Sequence, residues 1–492
     1  MRKSLIIITS SICLFLGLLN IPAPEIIGSK GWLTIVVIAL MLFWWISEAV
    51  PIAITALLPI ILFPALEITP LKDVTANYGH PIVFLFFGGF AITIAMKKWN
   101  LHTRIALEIV RKTGSNANGI IFGFMLATAF LSMWLSNTAT TVMMLPIAVS
   151  ILALVTNGQS SSKLSTQNHR FSLSLMLGIA FAANIGGTAT LTGTPPNAIF
   201  AGFMENNYGL TIEYGTWMLI GLPFAATMLL VCWLVICFVI YPNRLGNITG
   251  ASDIINQKYI ALGKISRNEI SVLIVFISTA LLWIFKGLLP FDIQDAGIAI
   301  AAAVSLFLIP QQNKKGFLLE WKNDPKSNDM NEMPWGILLL FGGGLSIAGA
   351  MSSSGLIDIA GMQISSFSTF GVMGILILCF CVALLLTEII SNLALITIFL
   401  PVLAGIALNL GENPLLFTIG ATLAASCAFM LPMATPPNAI VFASGYIRIP
   451  QMVKIGIVMN IISILIITLF SYTLIGYVFG INIGEIPMWI KP

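Results

Sequence analysis

The chain has 492 residues, 58% of them hydrophobic and only 9% charged, with a mean hydropathy of +0.98, whereas a soluble domain carries about 25% charged residues. This composition excludes a soluble enzyme or nucleic-acid-binding module and defines a membrane protein. The net charge of +4 comes from basic residues in short loops between apolar stretches, so it reports topology and not a surface for an acidic partner.

Apolar stretches of about 17 to 25 residues recur along the whole length without strand-like alternation, so the spans read as helices and not as barrel strands. The first, Ser4 to Asn20, follows a basic Met-Arg-Lys start but no small-residue cleavage site succeeds it, and it reads as a retained helix. Glu48, beside Trp44, Trp45 and Pro51, reads as an interfacial helix-end residue. A span containing Phe87-Gly88-Gly89 ends at Lys97 and Lys98, and Lys97 to Lys112 reads as a cytoplasmic surface helix. Two longer stretches, Ile120 to Thr156 and Gly371 to Leu410, each hold two half-spans around a polar break, Ser136-Asn137-Thr138 and Ser391-Asn392-Leu393. Later spans are interrupted at Thr194-Pro195-Pro196-Asn197 and Thr435-Pro436-Pro437-Asn438. Two successive prolines lack N–H donors and clash with the preceding turn, so a helix must break there. The six cysteines, Cys13, Cys232, Cys237, Cys379, Cys381 and Cys427, fall in apolar stretches and read as packing residues. His80, His102 and His169 lie far apart in or beside predicted loops and read as surface residues, with no shared metal site.

Assigning alternate loops to opposite sides sorts the 23 Lys and Arg residues into nineteen on one side and four on the other, Lys30, Lys72, Lys286 and Lys491. The positive-inside rule makes the first side cytoplasmic, with the N-terminus inside and the C-terminus outside. The split holds only if the two long stretches enter and leave on one side as re-entrant hairpins. Non-helical backbone at such depth is tolerated where protein buries it or where it lines a polar cavity. A single Ser-Asn break also fits a helix cap with no ligand.

Four landmarks recur in the same order in the two halves. Phe341-Gly342-Gly343 follows Phe87-Gly88-Gly89 by 254 residues, Ser391-Asn392 follows Ser136-Asn137 by 255, Leu400-Pro401 follows Leu145-Pro146 by 255, and the second Thr-Pro-Pro-Asn follows the first by 241. The polar loop Asn157 to Arg170 supplies the 14-residue difference. The first Phe-Gly-Gly span runs toward the basic cytoplasmic side and the second runs away from it, so the halves are inverted. Inverted repeats with broken helices near the midplane are the construction of secondary transporters.

Carbonyls freed before the breaks, at Gly193 and Ala434, can coordinate a cation, and helix N-termini after the breaks and at the hairpin tips favour an anion. Ser132, Ser136 and Asn137 in one half, with Thr387, Ser391 and Asn392 in the other, offer neutral oxygens suited to hard monovalent cations. No Lys or Arg lies within about ten residues of either tip, and a buried anion needs countercharge, which bound cations would provide. Glu388 competes with that reading, because an intramembrane carboxylate is able to carry a proton instead. No clustered nucleophile, acid–base pair or metal set points to an enzyme, and closed hairpins argue against a channel.

At these motifs the chain resembles the divalent anion/sodium symporter family, over almost its whole length, from Trp44-Trp45-Ile46-Ser47-Glu48-Ala49 to Ala434-Thr435-Pro436-Pro437-Asn438-Ala439. The resemblance implies substrate contacts from Ser136, Asn137, Thr138, Thr194, Pro195, Ser391, Asn392, Leu393, Thr435 and Pro436. It implies one sodium site at Ser132, Ser136, Asn137 and the Gly193 carbonyl, and a second at Thr387, Ile390, Asn392 and the Ala434 carbonyl. It further implies sodium as coupling ion, two or more per cycle, no organic cofactor, and a homodimer whose transport domains move as elevators against a fixed scaffold. The expected activity is sodium-coupled uptake of C4-dicarboxylates such as succinate, fumarate and malate across a bacterial inner membrane. Citrate or sulfate transport, or sodium-independent anion exchange on the same fold, stands as the alternative. One departure is visible: Leu393 stands where dicarboxylate members usually have Thr, which removes a hydroxyl from the site and bears on anion choice.

The expected fold is an all-α polytopic membrane protein of about 11 transmembrane helices plus two re-entrant hairpins. Residues 1–112 form the first scaffold part, 113–243 the first transport part, 244–366 the second scaffold part, 367–480 the second transport part and 481–492 an outer C-terminal tail. The expected partners are a small dianion, the lipid bilayer and a second copy of the chain, with no nucleic acid.

Overall fold

The computed structural model describes residues 2–47, 49–156, 165–290, 292–312, 315–324, 327–365, 371–487 and 489–490. Glu48, Lys163, Lys314, Lys326, Lys491 and the boundary expected at 366 and 367 lie outside the described residues. Among the described residues every regular element is helical.

Helices α1 (Arg2–Leu19) and α2 (Gly28–Ser47) pack together, the Trp44 indole donating to the Ser11 hydroxyl at 2.8 Å. Short α3 (Ile52–Thr55) and α4 (Leu58–Ala65) make one interrupted span, and α5 (Leu71–Tyr78) with α6 (Pro81–Lys98) makes the next. Pro81 opens α6 where its missing N–H costs nothing, and Lys97 and Lys98 close it where the helix dipole favours cations. Asn100, at φ 57, turns the chain into α7 (Leu101–Lys112).

The first hairpin is α8 (Ala117–Ser132) and α9 (Asn137–Thr156), followed by α10 (Thr166–Gly187), α11 (Pro195–Tyr208) and α12 (Tyr214–Leu234). After α13 (Ala251–Ala261) come α14 (Arg267–Phe285), opened by a Ser266–Glu269 capping box, and α15 (Asp295–Leu308). Then α16 (Trp335–Ser353) and α17 (Leu356–Ser365) lead to the second hairpin, α18 (Gly371–Thr387) and α19 (Asn392–Asn409). The chain ends with α20 (Pro414–Ala425), α21 (Pro436–Ala443), α22 (Ile449–Phe470) and α23 (Gly476–Phe479).

Nine helices among the described residues are long and apolar enough to cross a membrane. Two of these, α9 and α19, are hairpin arms, because each returns to the level at which its hairpin begins. At the base of the first hairpin the Trp233 indole, near the end of α12, donates to the Asn118 carbonyl at 3.0 Å, and the Asn168 amide, at the start of α10, donates to the Val155 carbonyl at 2.8 Å. Eleven crossings remain once shorter and broken spans are counted: α1, α2, α3 with α4, α5 with α6, α10 with α11, α12, α14, α15, α16, α20 with α21, and α22. This agrees with the expected architecture.

The halves are inverted. The end of α6 meets the start of α16 through Lys97–Glu332 and Lys98–Asp329 ion pairs, at 2.6 and 2.8 Å, so these repeat partners run antiparallel. Phe86 and Phe341 hold them edge to face with centroids 4.7 Å apart. Arg104 of α7, bound to Glu269 at 2.8 Å, keeps the base of the first hairpin on that side. At the base of the second hairpin, Glu412 accepts the Gly484 N–H at 2.9 Å, and Tyr208, Ser352, Asp358 and Leu408 line one cavity. The second hairpin therefore opens on the face where α11 and α16 end, opposite the first.

The expectation for the histidines is corrected at two positions. His80 and His102 are buried: His80 caps α6, its ring nitrogen accepting the Ile82 N–H at 3.2 Å, and His102 Nδ1 lies 3.0 Å from the Met96 carbonyl. Loop proximity in sequence does not give exposure when the loop is a helix cap packed beneath a neighbour. Of the cysteines, Cys13 is exposed on α1 and Cys232, Cys237, Cys379 and Cys427 are buried.

Candidate substrate and cation site

The first hairpin tip and both breaks meet α10, 94% of whose apolar window is buried, against 39% for α9 or α12, while the second tip meets α20, which is buried along its whole length. A helix covered on all sides lies at the centre of its body. Across the repeat, α21 packs on α9, and α11 on α19, so each break sits against the other half's hairpin.

At the first tip, Ser132 ends α8 and Asn137 begins α9. The Ser132 hydroxyl oxygen lies 2.6 Å from Asn137 Oδ1 and 2.7 Å from the Ala183 carbonyl oxygen. A hydroxyl has one proton to donate, so three oxygens converge here around a single proton. At the second tip, Thr387 Oγ1 lies 2.7 Å from Asn392 Oδ1 and 2.8 Å from the Ala425 carbonyl oxygen. The hydroxyl and amide pairs are 255 residues apart and the carbonyls 242, so the repeat holds at the level of single atoms.

The breaks repeat in the same way. The Asn197 amide donates to the carbonyls of Gly187, Thr188 and Thr190 at 3.3, 3.5 and 2.8 Å. The Asn438 amide donates to those of Ala428 and Leu431, both at 3.1 Å. Gly187 to Ala428 and Thr190 to Leu431 are again steps of 241 residues. Each motif's asparagine thus binds back over the loop that its prolines open, satisfying carbonyls that the missing helix cannot. In the first break the Trp217 indole adds a donor to Thr188 at 3.0 Å, and Thr190 donates to the Met133 carbonyl. Gly187 has no room for a side chain against the Asn137 amide, nor Gly193 against the Gly187 carbonyl. The Gly193 and Ala434 carbonyls, both in buried residues, are paired with no hydrogen-bond donor among the described residues.

The other sequence candidates fall around these clusters. Ser136 is half-buried and its Oγ accepts the Ala139 N–H at 3.2 Å; Thr138 is exposed. Thr194 is buried as the residue before α11 and Pro195 is half-buried. In the second half Ser391 and Pro436 are exposed and Ile390 is half-buried. Thr435 is buried, and its Oγ1 accepts the Asn438 N–H at 3.4 Å. Leu393 is 7% exposed where its counterpart Thr138 is exposed, so the two tips differ in presentation as well as polarity.

Glu388 is 3% exposed and its carboxylate is fully engaged. It accepts the backbone N–H groups of Phe429, Met430 and Leu431 at 2.9 to 3.1 Å, and the Asn460 amide at 2.9 Å. Four N–H groups thus converge on one carboxylate and satisfy both of its oxygens. Glu388 therefore clamps the second break to the hairpin and to α22. In the first half the matching position is Met133, whose backbone carbonyl takes the Thr190 hydroxyl instead. Sequence reading missed Ala183, Asn184, Gly187 and Ala425, which lie in plain apolar helix; only the 241-residue step between the two breaks pointed toward them.

A repeat of inverted halves, with paired hairpin tips and paired broken helices buried among membrane-length spans, defines a polytopic membrane transporter. Comparison with known proteins agrees. The chain belongs to the sodium:sulfate symporter transmembrane region family, the divalent anion/sodium symporters, whose model matches residues 2–481. It is similar to the sodium-dependent dicarboxylate transporter SdcS of Staphylococcus saprophyticus, 38% identical over 97% of this chain and 92% of that one. With SdcS of Staphylococcus aureus the identity is 40% over the same shares. Its fold is similar to that of the YdaH transporter of Alcanivorax borkumensis, with a TM-score of 0.50 at 13% identity, covering 83% of this chain and 89% of that one.

Proposed function

We propose that the protein is a sodium-coupled symporter that imports C4-dicarboxylates such as succinate, fumarate and malate by an elevator-type alternating-access mechanism. The observation that carries this reading is the pair of matching oxygen clusters, Ser132–Asn137–Ala183 and Thr387–Asn392–Ala425. Each brings a hydroxyl, an amide oxygen and a carbonyl to one point with a single proton among them, a donor set that suits a hard monovalent cation. The unpaired Gly193 and Ala434 carbonyls add a further oxygen to each half. The names of the SdcS relatives support both the cation and the dicarboxylate.

In this reading two or more sodium ions occupy the clusters and supply the positive charge that no nearby Lys or Arg provides. Ser136, Asn137 and Thr138 from one tip, with Ser391 and Asn392 from the other, hold the two carboxylates, aided by Thr194, Pro195, Thr435, Pro436 and the helix N-termini. Without its co-ions a dianion faces the full desolvation penalty, so cations and anion bind together and coupling follows from electrostatics. Residues 113–243 and 367–480 move as the transport domain against the scaffold, in a homodimer, with the N-terminus cytoplasmic and the C-terminus outside. A second reading, citrate or sulfate as substrate, is favoured by Leu393, which buries an apolar side chain where Thr138 offers a hydroxyl.

The test is uptake of labelled succinate into proteoliposomes with an inward sodium or choline gradient, with malate, fumarate, citrate and sulfate as competitors. Sodium-driven uptake inhibited by malate and fumarate is expected. Equal uptake in choline sinks the symport reading, and inhibition by citrate or sulfate alone selects the second one.

A further inference from the structure

Helix α10 touches the first oxygen cluster and the second break, on two different faces. Ala183 and Gly187 are four residues apart and share one face. That face meets the first tip, the Ala183 carbonyl at the Ser132 hydroxyl and Gly187 against the Asn137 amide. Phe181 and Asn184, three residues apart, share the adjoining face, which meets the second break. Phe181 packs on Phe429 with centroids 4.8 Å apart, and the Asn184 amide donates to Thr435 Oγ1 at 3.0 Å and to the Ala428 carbonyl at 3.5 Å. Ala428 is also the carbonyl that the Asn438 amide holds, so Asn184 and Asn438 grip the same loop that ends at Ala434.

Asn184 is 1% exposed, and its own Oδ1 has no partner in the protein. A buried polar side chain with half its hydrogen-bonding capacity unused is costly for packing alone. Its counterpart 242 residues on is Ser426, whose hydroxyl bonds back to Thr422 of its own helix at 3.4 Å, so the cross-link between halves is made from one side only.

We propose that Asn184 is a positioning residue that couples the two cation sites: the α10 rod carries a shift at the first tip, one residue away at Ala183, into the loop that shapes the second site. This inference rests on the proposed two-cation reading. Cation binding at either site then sets the geometry of the other, and linkage requires the effect to be reciprocal.

The test uses the full-length protein in proteoliposomes, as wild type, Asn184→Leu, which keeps the approximate side-chain size and removes the amide, and Asn184→Asp, which replaces the donor by an acceptor. Sodium dependence of succinate uptake is recorded at saturating succinate, and succinate dependence at saturating sodium. The same sodium titration is followed by thermal stabilisation in detergent, which reads binding even if a variant no longer transports. The expected result is a Hill coefficient for sodium that drops toward one and a half-saturation that rises about fivefold or more, with the succinate KM at saturating sodium unchanged. Wild-type cooperativity in both variants overturns the coupling role, as does a rise in succinate KM with the sodium curve unaltered. Wild-type uptake that ignores sodium overturns the symport reading itself, and this inference with it.

Discussion

Asn137 and Asn392 each meet a hydroxyl from the preceding hairpin arm, and that pairing fixes the tip as much as any ligand would. Replacing either by Ala removes the amide oxygen from its cluster and leaves the fold's apolar packing intact. Asn137→Ala and Asn392→Ala are each expected to abolish sodium-dependent uptake while the protein still elutes as a single folded species in gel filtration. Near-normal transport by either would make that tip structural. Glu388 belongs to the other kind of residue. In Glu388→Gln an amide N–H₂ faces backbone N–H donors and leaves at least one of them unsatisfied, at a cost of about 1–3 kcal/mol. The expected outcome is a lowered melting temperature in detergent, with any surviving uptake keeping the wild-type pH profile. Loss of a pH-dependent limb in this variant alone would make Glu388 a proton carrier. For Leu393→Thr the competitor ranking among succinate, malate, citrate and sulfate is expected to change, because a hydroxyl replaces buried methyl groups at one tip; an unchanged ranking would show that the side chain does not select the anion.

Most of the secondary structure was legible in the sequence, since bilayer-length apolar runs and their interruptions leave few alternatives. The hairpin stretch expected to start at Ile120 starts at Ala117 and that at Gly371 starts there, and Pro-Pro opens α11 and α21 where it must. The internal closure of the breaks was not legible. Asn197 and Asn438 sit in the recognised motif, but their binding back to carbonyls seven and ten residues earlier depends on the loop path, which no local pattern encodes. Ala183 and Ala425 contribute only backbone oxygen, and a carbonyl has no sequence signature. Burial of His80 and His102 was missed for a related reason: tertiary packing over a helix cap is invisible to hydropathy. Asn438→Ala strips one donor each from the Ala428 carbonyl, which keeps the Asn184 amide, and from the half-buried Leu431 carbonyl, and leaving such a group unsatisfied costs about 1–3 kcal/mol. The apparent melting temperature of that variant should therefore fall, and fall more than for an exposed site such as Thr138→Ala; equal effects would mean that water replaces the amide in the loop.

At the scale of the molecule, the proposed elevator requires scaffold and transport parts to separate along a surface that is bridged in this state. Asn77, before α6, accepts the Asn206 amide of α11 at 3.0 Å, His80 faces Glu205 at 3.5 Å, and Thr93 donates to the Trp134 carbonyl at 2.9 Å. Apolar packing lies beside these polar contacts, with Tyr214 stacked on Trp283 at 4.2 Å and Trp134 edge to face with Phe276 at 4.9 Å between centroids, so movement requires parting a packed surface. A double variant, Asn77→Cys with Asn206→Cys, should form a cross-link under oxidation that arrests uptake, with recovery after reduction. Full uptake by the cross-linked protein would exclude relative movement at that level. The inverted repeat itself was visible from four landmarks and loop charge, whereas the meeting of both halves around α10 was not, because it depends on contacts between residues some 250 positions apart, such as Asn184 with Thr435. The most direct measurement of the central claim is the paired flux of labelled sodium and labelled succinate into the same proteoliposomes, with the membrane potential clamped at zero. The proposed pair of cation clusters beside one dianion site predicts at least two sodium ions entering with each succinate; succinate entry without sodium would contradict the proposal.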